Sequence, residues 1–192
     1  MMAELCYHII DLVQNSVAAG AQNIYVYLEE SSQKDIIVIQ VRDDGKGMDA
    51  ETMENVQNPF FTTKGFKKVG LGIPLFKETA QMCDGTFSIT SQPGLGTTLR
   101  ATFKRSHIDT PPIGDVKDTM LTLLAGTGRN TENNNSETDS LNLDFTYTTD
   151  LGSFHVSLAE IKEQIEDLPL HHPEVLGFLR GYIAENIDQL CI

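Results

Sequence analysis

The chain has 192 residues, 40% apolar and 21% charged, which suits a packed core and excludes global disorder. Fourteen Lys and Arg against 27 Asp and Glu leave a net charge of −13, and this excludes a general nucleic-acid coat, since phosphate binding needs a basic surface. The longest purely apolar run, Ile36–Ile39, is far below the ~20 residues of a membrane span, and the N-terminal MMAELCYHIIDLVQ lacks the basic start of a signal peptide. Cys6, Cys83 and Cys191 are widely spaced and odd in number, with neither metal-ligand spacing nor a disulfide framework, so a reducing cytoplasm is the expected setting.

In chain order, Ala3–Ala19 places Leu5, Ile9, Leu12, Val13 and Val17 at helical spacing, with Gly20 as the stop. Asn23–Glu30 and Asp35–Asp43 alternate as strands around a turn at Ser31–Lys34. Asp49–Val56 predicts a short helix, Asn58–Val69 a mobile loop, and Gly70–Met82 a second long helix. Thr86–Ser91 and Thr97–Lys104 read as strands joined by Gln92–Gly96. The charge then shifts: residues 1–105 hold 10 basic and 12 acidic side chains, a net of −2, and residues 106–192 hold 4 and 15, a net of −11. This sets a domain boundary near Arg105, with Pro111 and Pro112 favouring an extended connection. Beyond it, Asp115–Leu124 predicts a helix and the polar Ala125–Asn142 a flexible linker. Leu143–Tyr147 and Ser153–Val156 can pair across Asp150–Gly152, Ser157 with Glu160 matches a capping box for a helix through Asp167, and Pro173 opens a last helix.

Three segments of the first half carry chemistry. On the first helix Asp11 and Asn15 are four apart and share a face, where a carboxylate and an amide oxygen can hold Mg²⁺ and orient a hydroxyl; polar residues on an amphipathic helix are also ordinarily just its solvated face. Asp43-Asp44-Gly45-Lys46-Gly47-Met48 follows an apolar strand, so a carboxylate at the strand end can accept from an adenine amino group; an acidic turn is the plainer alternative. Pro59-Phe-Phe-Thr-Thr-Lys64 precedes Val69-Gly-Leu-Gly72-Ile at a helix start, where free N–H groups and the helix dipole favour phosphate, although tight loop-to-helix packing would also use the glycines.

In this order, and followed by Gly94-Leu-Gly96-Thr-Thr-Leu, these segments resemble the Bergerat-fold (GHKL) ATPases, with PFFTTK, GLGI and GTTL most similar to the catalytic ATP-binding domains of sensor histidine kinases. DLVQNSVAAGA also looks like a MutL-type N box. The resemblance covers residues 4–104 and implies an α+β fold, a two-layer α/β sandwich, followed here by a small acidic α/β extension over 106–192. It implies ATP and Mg²⁺ as cofactors. Asn15 would hold the Mg²⁺, Asp43 the adenine amino group, and Gly45 and Gly47 the adenine pocket. Gly70, Leu71 and Gly72 would meet phosphates beneath a lid, with Lys64 a candidate for the terminal ones, and Thr97 would share a water-mediated adenine contact.

Two departures stand out. Asp11 takes the place where hydrolytic and serine-kinase members carry Glu, and as a possible general base it is shorter by about 1.5 Å. The N box also lies within the first turns, so the sequence reads as a stand-alone domain without the phosphoacceptor hairpin, similar to the anti-sigma-factor serine kinases. His8 reads as packing and His172 as a cap before Pro173, not as phosphoacceptors. The expected function is transfer of the γ-phosphate of Mg-ATP to a partner protein, reached through the lid or the acidic C-terminal region. The alternative is a non-catalytic switch whose lid, ordered by ATP, controls partner binding. A MutL-like hydrolytic clamp would need a further transducer domain, for which the remaining 87 residues read as too few and too acidic.

Overall fold

The computed structural model describes residues 4–57, 72–126, 141–165 and 168–190. Six helices, α1 (Leu5–Ala18), α2 (Ala50–Asn55), α3 (Gly72–Met82), α4 (Val116–Gly126), α5 (Leu158–Ile165) and α6 (Pro173–Asp188), accompany six strands. The strands are β1 (Asn23–Ser31), β2 (Ile36–Asp43), β3 (Phe87–Gln92), β4 (Gly96–Lys104), β5 (Asn142–Thr149) and β6 (Gly152–Ser157). They form one sheet in the order β3-β4-β2-β1-β5-β6. Among the described strands only the β1–β5 pair is parallel.

Strand alternation decides the layers. Ile24, Val26 and Leu28 of β1, Ile37, Ile39 and Val41 of β2, and Leu99, Ala101 and Phe103 of β4 point into a buried core. Tyr25, Arg42 and Arg100 point out on the opposite face, where Arg42 lies over the Tyr25 ring. The helices cover only the apolar face, so the architecture is the expected two-layer α+β sandwich. Phe76 of α3 anchors it, packing its ring 5.9 Å from Phe103 and 6.1 Å from Phe87. No helix among the described residues is long and apolar enough to cross a membrane.

The acidic second half contributes to the same sheet and the same core. Leu143 and Phe145 of β5 are fully buried, as are Met120 and Leu124 of α4 and Leu179 of α6. Two sets of bonds tie the halves together. At one end, the N–H groups of Leu5 and Cys6, unpaired within α1, donate to the carbonyls of Pro112 and Ile113, both at 2.9 Å. At the other, the Asp150 carboxylate in the β5–β6 turn accepts from Ser31 Oγ, from Ser32 N and Oγ, and from Gln33 N. The Ser31 and Ser32 hydroxyls hold that carboxyl well below the usual carboxylate range. The linker expected over Ala125–Asn142 is shortened at both ends, because α4 runs to Gly126, Leu141 is buried and Asn142 begins β5. Residues 127–140 lie outside the described residues. His172 caps α6 as the sequence suggested, its Nδ1 accepting from Glu174 N.

Two stability outcomes follow from these contacts. Asp150→Ala lowers the urea midpoint at neutral pH, and wild-type chain loses the same contribution as acid protonates Asp150 below its unfolded value of about 3.9. Gly177→Ala and Gly181→Ala, inside α6 with nothing within 4 Å of an added Cβ, each stabilise the chain by about 1 kcal/mol in urea titrations.

Candidate nucleotide site

A cleft of about 540 Å³ opens where the C-terminal end of β2, the start of β4 and the outer side of α1 meet. Asp43 lies at its base. It shares the inward parity of Ile37, Ile39 and Val41, so the last residue of an apolar strand face is a carboxylate, and it is 7% exposed. Three donors hold it. Oδ1 accepts from Gly45 N at 2.9 Å and Thr97 N at 3.2 Å, and Oδ2 accepts from Ser16 Oγ at 2.8 Å. A carboxylate offers about four acceptor positions, so one is left on Oδ2 for a ligand donor. Apolar walls flank it, among them Leu12, Met48, Ile73 and Leu99.

The adjacent Asp44 points the other way. It accepts from Gln22 N, Asn23 N and Asn23 Nδ2 at 2.7–2.8 Å and pins the α1–β1 connection. Burial works against its charge, but the bonds from Asn23 and Gln22 outweigh that and hold its carboxyl below the usual range.

The glycines of the two loops act on each other. Gly47 (φ +64°) packs so closely on the β3–β4 turn that a Cβ would overlap the Gln92 carbonyl, and Gly96 (φ +88°) sits the same way against the Asp43 carbonyl. Met48 N donates to Ser91 Oγ at 2.8 Å and Gly94 N to the Lys46 carbonyl at 2.8 Å, so the two loops form one backbone unit beneath the cleft. Gly47 and Thr97 line the cleft, and Gly45 lies behind it with its N–H on Asp43. Thr97 Oγ1 bonds Ser91 Oγ at 2.9 Å.

At the other end, Asn15 lines the cleft, and Gly72 at the start of α3 faces α1. A Cβ at Gly72 would lie 3.6 Å from Asn15 Nδ2 and 3.7 Å from Asp11 Oδ2. Asp11, Asn15 and Gly72 are therefore brought together. Lys64, Gly70, Leu71 and the loop expected over Asn58–Val69 lie outside the described residues. His8 is buried, its ring 5.4 Å from Phe76, as packing requires. Burial pushes its pKa below the ordinary 6.5, and the nearby Asp11 carboxylate pulls it back up.

Sequence reasoning missed Ser16, Ser91 and Lys46. The first two carried a signal: Ser16 falls on the buried stripe four residues after Leu12, and Ser91 shares the inward parity of Phe87 and Ile89. A small hydroxyl on an otherwise apolar face marks a buried polar group awaiting a partner.

Removing a donor from the buried carboxylate tests the arrangement. Ser16→Ala costs about 1–3 kcal/mol in urea unfolding. Gly94→Ala (φ +76°, open space) costs only about 1–2 kcal/mol of backbone strain, whereas Gly96→Ala costs more because Asp43 must also move. For His8, the unfolded imidazole takes a proton near pH 6.5 while the buried one resists. Stability is therefore unaffected above that pH and falls as pH drops toward the lowered native value. His8→Phe flattens this slope in denaturation measured between neutral pH and pH 5.

A family profile described as histidine kinase-, DNA gyrase B-, and HSP90-like ATPase matches residues 3–107. Sporulation kinase C of Bacillus subtilis is 30% identical over 91 residues, 47% of this chain and 21% of that protein. The sensor histidine kinase ZraS of Escherichia coli is also 30% identical over 91 residues, 47% of this chain and 19% of that protein. The sensor histidine kinase YvrG of Bacillus subtilis is 28% identical over 99 residues, 50% and 17%. The chain thus spans about a fifth of the length of these relatives. A crystal structure of the N-terminal domain of a DNA repair protein overlays 80% of this chain and 51% of that one, at 15% identity and a TM-score of 0.49. The match across more than half of the sequence places this chain in the histidine kinase-, DNA gyrase B- and HSP90-like ATPase family, as an ATP-binding domain of the histidine-kinase-like kind.

Proposed function

We propose that the cleft binds Mg-ATP and that the chain passes the γ-phosphate to a partner protein in bacterial signalling or regulation in the cytoplasm. The observation that carries the ATP orientation is Asp43: a buried carboxylate with three internal donors and one acceptor position left toward an apolar-walled cleft. An adenine amino group supplies the missing donor, and the flat ring fits between Leu12, Met48, Ile73 and Leu99. Adenine at Asp43 directs the phosphates toward Asn15, Asp11 and the start of α3. The oxygens of Asn15 and Asp11 suit a Mg²⁺ ion, which is ordinarily held by one or two protein oxygens together with phosphates. Among the described residues no cluster of three His, Cys, Asp or Glu competes with that assignment. Bound there, the ion would neutralise charge on the phosphate oxygens.

The chain's own residues then position. Gly72 keeps the start of α3 open beside Asn15 and Asp11, where an added Cβ would stand in ordinary contact with both. The N–H groups of Gly72 and Ile73 lie at the α3 start, where the helix dipole favours phosphate. With a hydroxyl acceptor, its oxygen attacks the γ-phosphorus, ADP leaves, and Asp11 takes the hydroxyl proton. With an imidazole acceptor no such base is needed. Shortness of Asp11 favours a second reading, in which ATP is held without transfer and its binding alters a partner surface.

The test is the fate of γ-labelled ATP with Mg²⁺. Asp43→Ala weakens ATP binding by about 10–100-fold, the worth of one charge-assisted hydrogen bond. Asp11→Asn retains binding but loses transfer to a Ser or Thr acceptor. Unchanged ATP affinity in Asp43→Ala would overturn the orientation. Full binding with no label on any candidate partner would leave the switch.

A further inference from the structure

Helix α6 presents a face that no described residue covers. Val175, Leu179, Ile183 and Ile187 bury its inner side. On the outer side Phe178 is 56% and Tyr182 41% exposed. Their rings stack 6.1 Å apart and 7° from parallel, and Tyr182 also meets Phe154 of the edge strand β6, its ring 5.6 Å away. Together they form a flat apolar shelf. Gly177 and Gly181 lie beside it, one turn apart, and nothing described comes within 4 Å of a Cβ at either. Internal packing therefore does not require glycine at these positions, although a helix interior disfavours it relative to alanine. Glu174 and Glu185 sit on the same exposed arc. Residues 141–192 hold 9 acidic and 2 basic side chains, a net of −7, so a second copy seated here would meet its own charge.

We propose that this face docks a basic amphipathic helix of a partner protein. Its apolar side would lie on the Phe178–Tyr182 shelf, its backbone close to Gly177 and Gly181, and its Lys or Arg side chains against Glu174 and Glu185. Exposed aromatics supply the anchor, and the acidic surround selects the sign of the partner. Docking rests on the reading that the acidic second half recruits a partner; it needs neither bound nucleotide nor phosphoryl transfer.

The probe is a synthetic Leu/Lys amphipathic helix, with a Leu/Glu helix beside it, titrated against the full chain by fluorescence anisotropy at physiological salt. Hydrogen exchange locates the contact. The Leu/Lys helix binds and protects residues 173–188, and the Leu/Glu helix does not. Phe178→Ala with Tyr182→Ala weakens binding by at least about tenfold. Glu174→Lys with Glu185→Lys moves the preference toward the Leu/Glu helix. Gly177→Ala with Gly181→Ala raises the melting temperature yet weakens binding, which separates docking from folding. Protection elsewhere, full binding by the alanine variants, or dimerisation through this face would overturn the proposal. ATP binding and label transfer, read on the same samples, fail or persist independently of it.

Discussion

A carboxylate can stay buried only where donors surround it, and Asp43 takes its donors from three separate elements: Ser16 of α1, Gly45 of the loop after β2, and Thr97 of β4. Each bond fixes a distance between layers. Ser16 sets how closely α1 approaches the sheet, and Thr97 locks β4 against the end of β2, where the two residues are direct partners in the ladder. The apolar core would tolerate small slides of helix on strand, but this carboxylate does not. The geometry that holds the charge is also the geometry of the cleft, so stability and the shape of the cleft draw on the same atoms.

Most of the fold was legible because its signals are local. Helical spacing located α1, α3 and α6, and period-two alternation located β1, β2 and β4; the inward side of Asp43 and the outward side of Asp44 came from the structure. For the ordered glycine motifs, part of the physical reason is internal: Gly47 and Gly96 let two backbones touch beneath the cleft. The rest depends on contacts between distant parts of the chain. Nothing near Leu143 announces parallel pairing with Ile24, and nothing near Asp150 announces Ser31 and Ser32. The serines that position Asp43 and Met48 left a signal, a hydroxyl on an otherwise apolar face, but their partners lie 27 and 43 residues away along the chain.

The acidic second half divides its labour by side-chain direction. Its apolar residues enter the common core through β5, α4 and α6, and among its described residues no charged side chain is buried. The β6 strand closes one edge of the sheet and α6 overhangs it, so the most acidic region of the chain is also the one farthest along the sheet from β3.

The capping of α1 by Pro112 and Ile113 sets an order of events during synthesis. The helix that carries Asp11, Asn15 and Ser16 leaves the ribosome ahead of these acceptors, and its first turn is capped only after more than a hundred further residues have followed. Strand β1 waits longer still for its parallel neighbour β5. The nascent chain therefore holds the residues that line the cleft well before it can seat them, and the layers around the cleft close only after elongation has passed well beyond Leu99.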